Sequence, residues 1–268
     1  MRFGPAGYPK AAKDAKDALN IIKGMGLNAL EMEFVRGVKT SEAKAKEIGA
    51  AAKELDIRLS AHAPYFVSFN SDTPETREKS ISWVMDTVRV AHSLGAHIIV
   101  IHAAQYGKEP SEATDSVIKG LNRCKEIMDD ENIKDVTLGL ETMGRAATWG
   151  TLKEIGEVMD GIPGVRPVLD VSHIHARYGG SLRTKQDMGS LTDEFFLLAG
   201  DIPHFHISCI EYTGKGEKEH LPLSAKDPDM SLLAEALNDC KKDCTFICES
   251  PLLEEDALNF KRMFPRYR

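Results

Sequence analysis

Short apolar segments alternate with longer amphipathic segments along the whole chain. Eight short segments predict β-strands: Arg2–Gly7, Asn28–Glu33, Ile57–His62, His97–His102, Val136–Glu141, Val165–Asp170, Pro203–Ser208 and Thr245–Glu249. Several are apolar on both faces, as in the IIVI run at 98–101. This pattern is typical of parallel strands that are covered on both sides.

The segments between the predicted strands have helical periodicity. The clearest helix begins at Thr73-Pro74-Glu75, which supplies a cap, a proline at the first helical position and an early acidic residue, and it ends at Gly95. Eight strands that each precede a helix predict an α/β fold, a (β/α)8 TIM barrel, as a single domain over residues 1–268. A doubly wound open sheet is the alternative. It usually has a glycine-rich turn after its first strand, but the turn here reads GPAGYP.

Composition narrows the functional classes. The chain of 268 residues is 42% hydrophobic, yet it has no apolar run near the ~18 residues of a membrane span, so we expect no membrane partner. Its five cysteines form no CxxC pair, which favours a reducing cytoplasm. A formal charge of −7 argues against a protein that coats nucleic acid with a basic face, but it permits a nucleic-acid enzyme that carries metal ions. No GxxxxGK[ST] string occurs, so we expect no nucleotide cofactor.

Metal-ligating residue types end six of the eight predicted strands: His62, His102, Glu141, Asp170, His206 and Glu249. Two more histidines, His173 and His220, lie in the loops just beyond. In a barrel the carboxyl ends of the strands meet at one mouth, and clustered carboxylates there need positive charge. Imidazole and carboxylate are ligands that Zn²⁺ favours, with Mn²⁺ also possible. The sequence therefore predicts a metal site, and the other histidines are interpreted as structural.

An ordered set of short strings resembles the endonuclease IV family of abasic-site endonucleases over about residues 1–255. The strings are HAPYFVSFN at 62–70, IVIHAA with His102, LGLET with Glu141, VLDVSH with Asp170 and His173, HFHIS with His206, HLPL with His220 and CESP with Glu249. The resemblance implies a (β/α)8 barrel with a trinuclear zinc site. It also implies hydrolysis of DNA 5′ to abasic sites in base excision repair, by a hydroxide that bridges metal ions.

The resemblance also implies a ligand set. His62, His102 and Glu141 would hold one metal, and Glu141, as the catalytic residue, would bridge to a second. That second metal would also be held by Asp170, His206 and Glu249, and the third would take His173 and His220. We therefore expect two or three zinc ions per chain, with manganese possible, and a cytoplasmic monomer that acts on damaged double-stranded DNA.

Three further residues follow as DNA-binding candidates. Tyr65 and Phe66 match the family positions that fill the gap left in the duplex, and Arg36 matches the family's loop arginine more loosely.

One family ligand is missing from this chain. An Asp two residues before the last histidine is replaced by Lys218, and a lysine ammonium cannot ligate a cation. Either Glu217 or Glu219 substitutes, or water completes the third site, or that site is weak or empty. Together with ETMGR in place of the family's ENTAG-like string and HISC in place of its HxND-like string, this indicates a divergent member.

The main alternative is a sugar epimerase or isomerase of the xylose-isomerase-like barrels, which the chain also resembles. Such an enzyme would use one divalent metal at Glu141, Asp170, His206 and Glu249. It would not need the four other histidines together: His62, His102, His173 and His220. A degenerate barrel that binds DNA or metal without turnover is a third hypothesis.

Overall fold

The structure is a computed structural model that describes residues 1–107 and 109–267. These residues form two compact units. The first unit comprises residues 1–31, 143–146 and 168–267, and the second comprises residues 32–107, 109–142 and 147–167.

All eight predicted strands are present. The strand at Val165–Asp170 has the predicted bounds, and each of the other seven is one or two residues shorter than predicted. Within the described part of the chain the strands are β1 (Arg2–Pro5), β2 (Ala29–Glu33), β3 (Arg58–His62), β4 (Ile98–Ile101), β5 (Thr137–Glu141), β6 (Val165–Asp170), β7 (His204–Ile207), β8 (Cys209–Thr213), β9 (Gly216–Leu221) and β10 (Thr245–Cys248). The α-helices are α1 (Ala15–Gly24), α2 (Glu42–Glu54), α3 (Pro74–Leu94), α4 (Ala113–Asp130), α5 (Leu152–Gly161), α6 (Val171–Arg177), α7 (Lys185–Leu198), α8 (Met230–Ala236) and α9 (Glu254–Met263).

The second unit is built on the parallel strands β3, β4 and β5. Ala61 pairs with Ile99, and Ile101 pairs with Leu140. Helix α3 begins at the predicted proline and ends at Gly95, whose left-handed φ of 67° suits a residue without a Cβ. Successive helices from α2 to α5 contact one another beside the strands. This arrangement confirms the predicted alternation of strand and helix and leaves the carboxyl ends of the three strands adjacent.

The first unit contains the parallel ladders β1–β10, β10–β7 and, over residues 168–170, β7–β6. Aromatic rings fill the space between these strands and their helices: Phe205 lies 4.8 Å from Phe246 and 4.8 Å from Phe195 of α7. Because side chains alternate along a strand, the contact of Phe205 with α7 directs His204 and His206 to the opposite face of β7.

An antiparallel hairpin of β8 and β9, which the sequence pattern did not predict, follows β7 in the first unit. Its pairing shifts register between Glu211 and Tyr212, so β9 carries one extra residue as a β-bulge. Among residues 1–107 and 109–267, no helix is both long enough and apolar enough to cross a membrane.

Candidate metal centre

Three neighbouring strand ends bring two imidazoles onto one carboxylate in the second unit. His62 ends β3, Glu141 ends β5 and His102 follows β4. The Oε2 atom of Glu141 lies 3.3 Å from Nε2 of His62 and 2.7 Å from Nε2 of His102. The side chains of His62 and Glu141 are fully buried, whereas that of His102 is 20% exposed. The edge of the cluster at His102 is therefore open to solvent.

The hydrogen bonds of His62 show that this cluster fits a metal ion. Its Nδ1 atom lies 2.7 Å from the carbonyl oxygen of Ala63, and a carbonyl can only accept, so Nδ1 carries the proton of the neutral ring. The unprotonated Nε2 then faces a carboxylate oxygen of Glu141, and two lone pairs at this distance repel. A divalent cation that both atoms coordinate removes the repulsion, and two imidazoles with one carboxylate are a donor set that Zn²⁺ favours.

In the first unit, Asp170 is fixed by the helix that follows it. It ends β6 and caps α6: its Oδ1 accepts hydrogen bonds from the backbone N–H of His173 at 2.7 Å and from the hydroxyl of Ser172 at 2.6 Å. Its Oδ2 lies 3.9 Å from Nδ1 of His173. Ligand atoms of Asp170, His173 and His220 all lie within 4.8 Å of one another, so the cap places two of the predicted ligands on one turn of chain.

A relay of hydroxyl groups sets the protonation of His220. Ser172 uses its single proton on Asp170, so the Ser208 hydroxyl, 2.8 Å away, donates to Ser172. Ser208 then has only an acceptor for Nδ1 of His220, which lies 2.6 Å away. Neutral His220 therefore carries its proton on Nδ1 and leaves Nε2 as the coordinating nitrogen.

The bulge in β9 determines which acidic residue accompanies these histidines. Ile210 pairs with His220 and Tyr212 pairs with Glu217, so Glu217 and His220 share one face of the hairpin. The Oε2 atom of Glu217 lies 3.3 Å from Nε2 of His173. Lys218 is exposed, and its ammonium lies 2.7 Å from Glu211. Of the two acidic residues that could substitute for the missing Asp, Glu217 lies at the cluster and Glu219 is exposed.

Asp170, His206 and Glu249 form another group in the first unit, with ligand atoms within 4.8 Å of one another. Nδ1 of His206 lies 3.3 Å from Oε1 of Glu249. On its other side, Nε2 of His206 lies 2.9 Å from Oε1 of Glu31, and Nε2 of His204 lies 3.0 Å from Oε2 of Glu31. Burial by itself raises the pKa of the Glu31 carboxyl, but the charges and hydrogen bonds of His206 and His204 outweigh it and hold that pKa well below its usual range.

The DNA-binding candidates lie in the second unit. Tyr65 is 53% exposed, and its ring stacks on His102 with centroids 5.1 Å apart. Phe66 is 45% exposed and contacts the ring of Trp83 at 4.3 Å. Arg36 is exposed on the turn after β2. The structure thus brings Tyr65 to the histidine cluster and places Arg36 on the surface.

The strand-end pattern did not single out two of the acidic residues in these clusters. Glu31 lies inside β2, where alternation places it opposite Leu30 and Met32. That alternation was visible in the sequence, but it is equally typical of a solvent-facing glutamate. Glu217 was one of two open choices, and only the position of the bulge distinguishes it from Glu219.

The other histidines and the cysteines make structural contacts. Three of these histidines contact a partner in their own unit: His92 contacts Asp135, His97 contacts the Leu59 carbonyl and His175 contacts Asp227. Cys209 is buried, and burial raises its pKa to about 11. A thiol that stays protonated at neutral pH is a poor nucleophile.

Comparison with known proteins identifies the family. Residues 19–262 match the model of the xylose isomerase-like TIM barrel family. An uncharacterised protein of Methanocaldococcus jannaschii is 33% identical over 261 residues, which are 96% of this chain and 94% of that protein. A probable endonuclease 4 of Staphylococcus aureus is 26% identical over 211 residues, which are 75% of this chain and 69% of that protein.

Solved structures show the same fold. Endonuclease IV from Thermus thermophilus superposes with a TM-score of 0.77 at 20% identity, covering 100% of this chain and 98% of that one. A D-tagatose 3-epimerase-like protein superposes with a TM-score of 0.76 at 18% identity, covering 100% and 97%. These likenesses confirm the predicted (β/α)8 fold, and the chain belongs to the xylose isomerase-like TIM barrel family.

Proposed function

We propose that the chain is a metal-dependent phosphodiesterase that cleaves double-stranded DNA 5′ to abasic sites, as in base excision repair. The observation that carries this proposal is the number of ligand groups. The second unit holds His62, His102 and Glu141 as one group of its own, in addition to the acidic and histidine groups of the first unit. An enzyme that polarises one sugar carbonyl through one metal has no use for the additional histidines, whereas a multinuclear phosphodiesterase does.

Sequence similarity supports the same class. The Staphylococcus aureus relative is named a probable endonuclease 4, and the strings that resemble that family carry the ligand candidates in the same order. Fold similarity does not separate the two functions, because an endonuclease IV and an epimerase-like protein superpose almost equally well.

Three ligand groups would each hold a metal ion. His62, His102 and Glu141 would hold one, and Asp170, His206 and Glu249 a second. His173 and His220, with Glu217 in the place of the missing Asp, would hold a third. When bound, such ions supply Lewis-acid polarisation of phosphoryl oxygens and a hydroxide near neutral pH. The bridging role of Glu141 remains the prediction made from the resemblance.

The other residues of the proposed site would bind and orient the DNA. The exposed rings of Tyr65 and Phe66 would fill the space of the missing base. An abasic nucleotide is easier to extrude from the duplex than a paired one. In the first unit the Arg177 guanidinium donates to the carbonyl oxygens of Met143 and Arg145 and so holds the 143–146 loop. The Arg145 side chain is 58% exposed, and its Nε lies 3.4 Å from Oε1 of Glu217. In this proposal its guanidinium also contacts a DNA phosphate.

The partner in this proposal is damaged double-stranded DNA, the acting form is a monomer and the location is the cytoplasm. The cofactor is zinc, two or three ions per chain, with manganese as a possible substitute.

The second candidate function is a sugar epimerase or isomerase with one divalent metal at Glu141, Asp170, His206 and Glu249. The observation that favours it is the superposition on a D-tagatose 3-epimerase-like protein over 100% of this chain. In such an enzyme two carboxylates move a proton next to a carbonyl group. Under this function His62 and His102 have no assigned chemistry.

Elemental analysis combined with a nicking assay tests the proposal. Protein purified without chelator should hold two or three zinc or related ions, and it should nick a duplex with a single abasic site but not the intact duplex. Glu141→Gln should abolish the nicking. One metal per chain with ketose epimerisation and no nicking would establish the second candidate instead, and binding of damaged DNA without nicking under excess metal would indicate a barrel without turnover.

A further inference from the structure

Arg183 makes contacts that the proposed chemistry does not use. It lies in the loop between α6 and α7, and its side chain is 54% exposed. Its Nε donates to the carbonyl oxygen of Gly180 at 2.8 Å, Nη1 donates to Oδ1 of Asp227 at 2.6 Å, and Nη2 donates to the hydroxyl oxygen of Tyr212 at 2.7 Å. Since Tyr212 belongs to β8 and Asp227 precedes α8, this one guanidinium group joins its own loop to two other segments of the first unit.

The same oxygen of Asp227 holds helix α6 through His175, whose side chain is buried. The backbone N–H of Leu182 donates to Nδ1 of His175 at 3.1 Å. Because that nitrogen accepts, the ring carries its proton on Nε2, which donates to Oδ1 of Asp227 at 2.8 Å. A continuous network therefore runs from α6 to β8, and we call it the Arg183 clamp: His175, Asp227, Arg183 and Tyr212.

Close packing at Gly180 holds the guanidinium in one orientation. The φ of Gly180 is 83°, in the left-handed region that suits a residue without a side chain. A Cβ added there would clash with the Tyr212 hydroxyl and with Nη2 of Arg183. The ring of Tyr212 also packs edge-on against His175, with centroids 5.4 Å apart.

The clamp joins the two elements that carry the third metal group. His175 lies on α6, two residues after His173. Tyr212 pairs with Glu217 across the hairpin, which makes their side chains neighbours on one face, and Oε2 of Glu217 lies 3.3 Å from Nε2 of His173. Helix α6 has only 7 residues, and so short a helix depends on tertiary contacts for its position. The separation of His173 from the hairpin therefore depends on the contacts that hold α6 in place.

We propose that Arg183 is a positioning residue, which holds α6 against the hairpin at the separation that a cation bound by His173, Glu217 and His220 requires. Arg183 is not itself a ligand, because a guanidinium group is a donor only. Metal–ligand distances tolerate about ±0.2 Å, so a small displacement of α6 is enough to lower the affinity. The inference rests on the third metal group of the proposed function, but not on the substrate.

The test measures the zinc bound per chain against free zinc, by equilibrium dialysis in zinc buffers followed by elemental analysis. Arg183→Ala removes all three hydrogen bonds. One binding step should therefore move to about 10-fold higher free zinc, the low end of the range for loss of an outer-shell partner, while the other steps stay unchanged. Arg183→Lys keeps the charge but lacks the planar fork that reaches three acceptors, so it should not restore the affinity.

Arg123→Ala is the matched control. Arg123 lies on α4, is 55% exposed and pairs with Glu126 at 2.8 Å, so its loss also removes an exposed ion pair. It should leave every zinc step at the wild-type value. The melting temperature of each variant, measured in parallel, separates a loss of fold from a loss of affinity.

Tyr212→Phe tests the other end of the clamp, because it keeps the ring and removes only the hydroxyl that accepts from Nη2. It should weaken the same zinc step, by less than Arg183→Ala does. The double variant should be no weaker than Arg183→Ala alone, since both changes break one contact. Additive losses would overturn the proposal, and if Arg183→Ala does not fold, unchanged zinc binding by Tyr212→Phe would overturn it.

Three further results would overturn it as well. If Arg183→Ala and Tyr212→Phe both kept the wild-type affinity, whatever their melting temperatures, the clamp would be a structural contact only. Equal weakening of every zinc step would indicate a general loss of structure, and absence of a third ion from the wild-type chain would leave Arg183 nothing to position. A nicking assay separates this inference from the proposed function. If wild-type protein with three ions did not nick an abasic duplex, the phosphodiesterase would be wrong and the role of Arg183 would stand.

Discussion

Gly144 allows the sharpest test of the third metal group. Its backbone N–H donates to Oε2 of Glu217 at 3.0 Å, and the residue approaches the hairpin so closely that a side chain has no room. A Cβ added here would lie 2.2 Å from Oε2 of Glu217 and 2.9 Å from its Cβ. Gly144→Ala therefore displaces the carboxylate that lies beside His173.

The size of the effect follows from these distances. The added carbon would lie more than about 1 Å closer to Oε2 of Glu217 than ordinary van der Waals contact allows. Because it would also crowd the Cβ of Glu217, rotation of the carboxylate alone does not relieve the clash. Metal–ligand distances tolerate only about ±0.2 Å. We expect the affinity of one metal to fall by at least the 10- to 100-fold that loss of an outer-shell partner costs. Overpacking should lower the free energy of unfolding by about 1–3 kcal/mol.

The assay is equilibrium dialysis against a zinc buffer followed by elemental analysis. Gly214→Ala is the matched control, since a Cβ at that position of the same hairpin has no atom within 4 Å. Lys218→Ala is a second control, because Lys218 is exposed on the face that carries Glu211. Both should keep the wild-type stoichiometry.

Two outcomes would refute this reasoning. If Gly144→Ala bound as much zinc as wild type with the same affinity, Glu217 would not be a ligand. If Lys218→Ala lost a metal ion while Gly144→Ala did not, the third site would depend on the Lys218 side of the hairpin, and the assignment of Glu217 as a ligand would be wrong.

Three other predictions can be checked directly. His102→Ala should remove one metal ion and lower nicking by several orders of magnitude, and a loss below about threefold in rate would contradict the multinuclear site. Tyr65→Ser should weaken binding to an abasic duplex by about 1–3 kcal/mol, if its ring stacks on bases, while binding to intact duplex, measured by fluorescence anisotropy, stays unchanged. Burial by itself raises the pKa of Glu154, but hydrogen bonds from Thr151 and Tyr106 lower it below its usual range. Glu154→Gln should therefore lower the free energy of unfolding by about 0.5–1 kcal/mol near pH 7. The difference should shrink as pH falls from the unfolded pKa of about 4.3 through the folded value, which denaturation at a series of pH values will show.

Most of the fold could be predicted from the sequence because its signals are local. The buried IIVI run of β4 is typical of a covered strand, and the Thr73–Gly95 helix carries both of its boundary signals in the chain. The hairpin of β8 and β9 was missed because its second strand reads GEKEHL. A strand with charges on both faces shows no alternation, and its pairing depends on a bulge that the sequence does not mark.

The candidate site was predictable in part for a related reason. A strand end is a fixed place in a barrel, so residues such as His62 and Glu141 could be assigned to it without coordinates. The position of the Glu31 side chain could not be assigned in this way, because Glu31 lies within a strand and not at its end. A glutamate within a strand faces either solvent or the interior according to the register of the whole sheet. Its contacts became visible only in the structure, where β7 directs His204 and His206 to the face opposite Phe205 and toward Glu31.

Lys218 first suggested a degraded site, and the hairpin geometry changes that interpretation. A regular strand would place residues 218 and 220 on one face, so a lysine two residues before His220 would point its charge at a metal. The bulge shifts the alternation by one residue, which moves Lys218 to the face of Glu211 and brings Glu217 to the face of His220. The hairpin thus places the Glu217 carboxylate beside His173, although Lys218 stands two residues before His220. A lysine two residues before His220 is therefore compatible with the third metal group that we propose, because Glu217 offers a carboxylate there in its place.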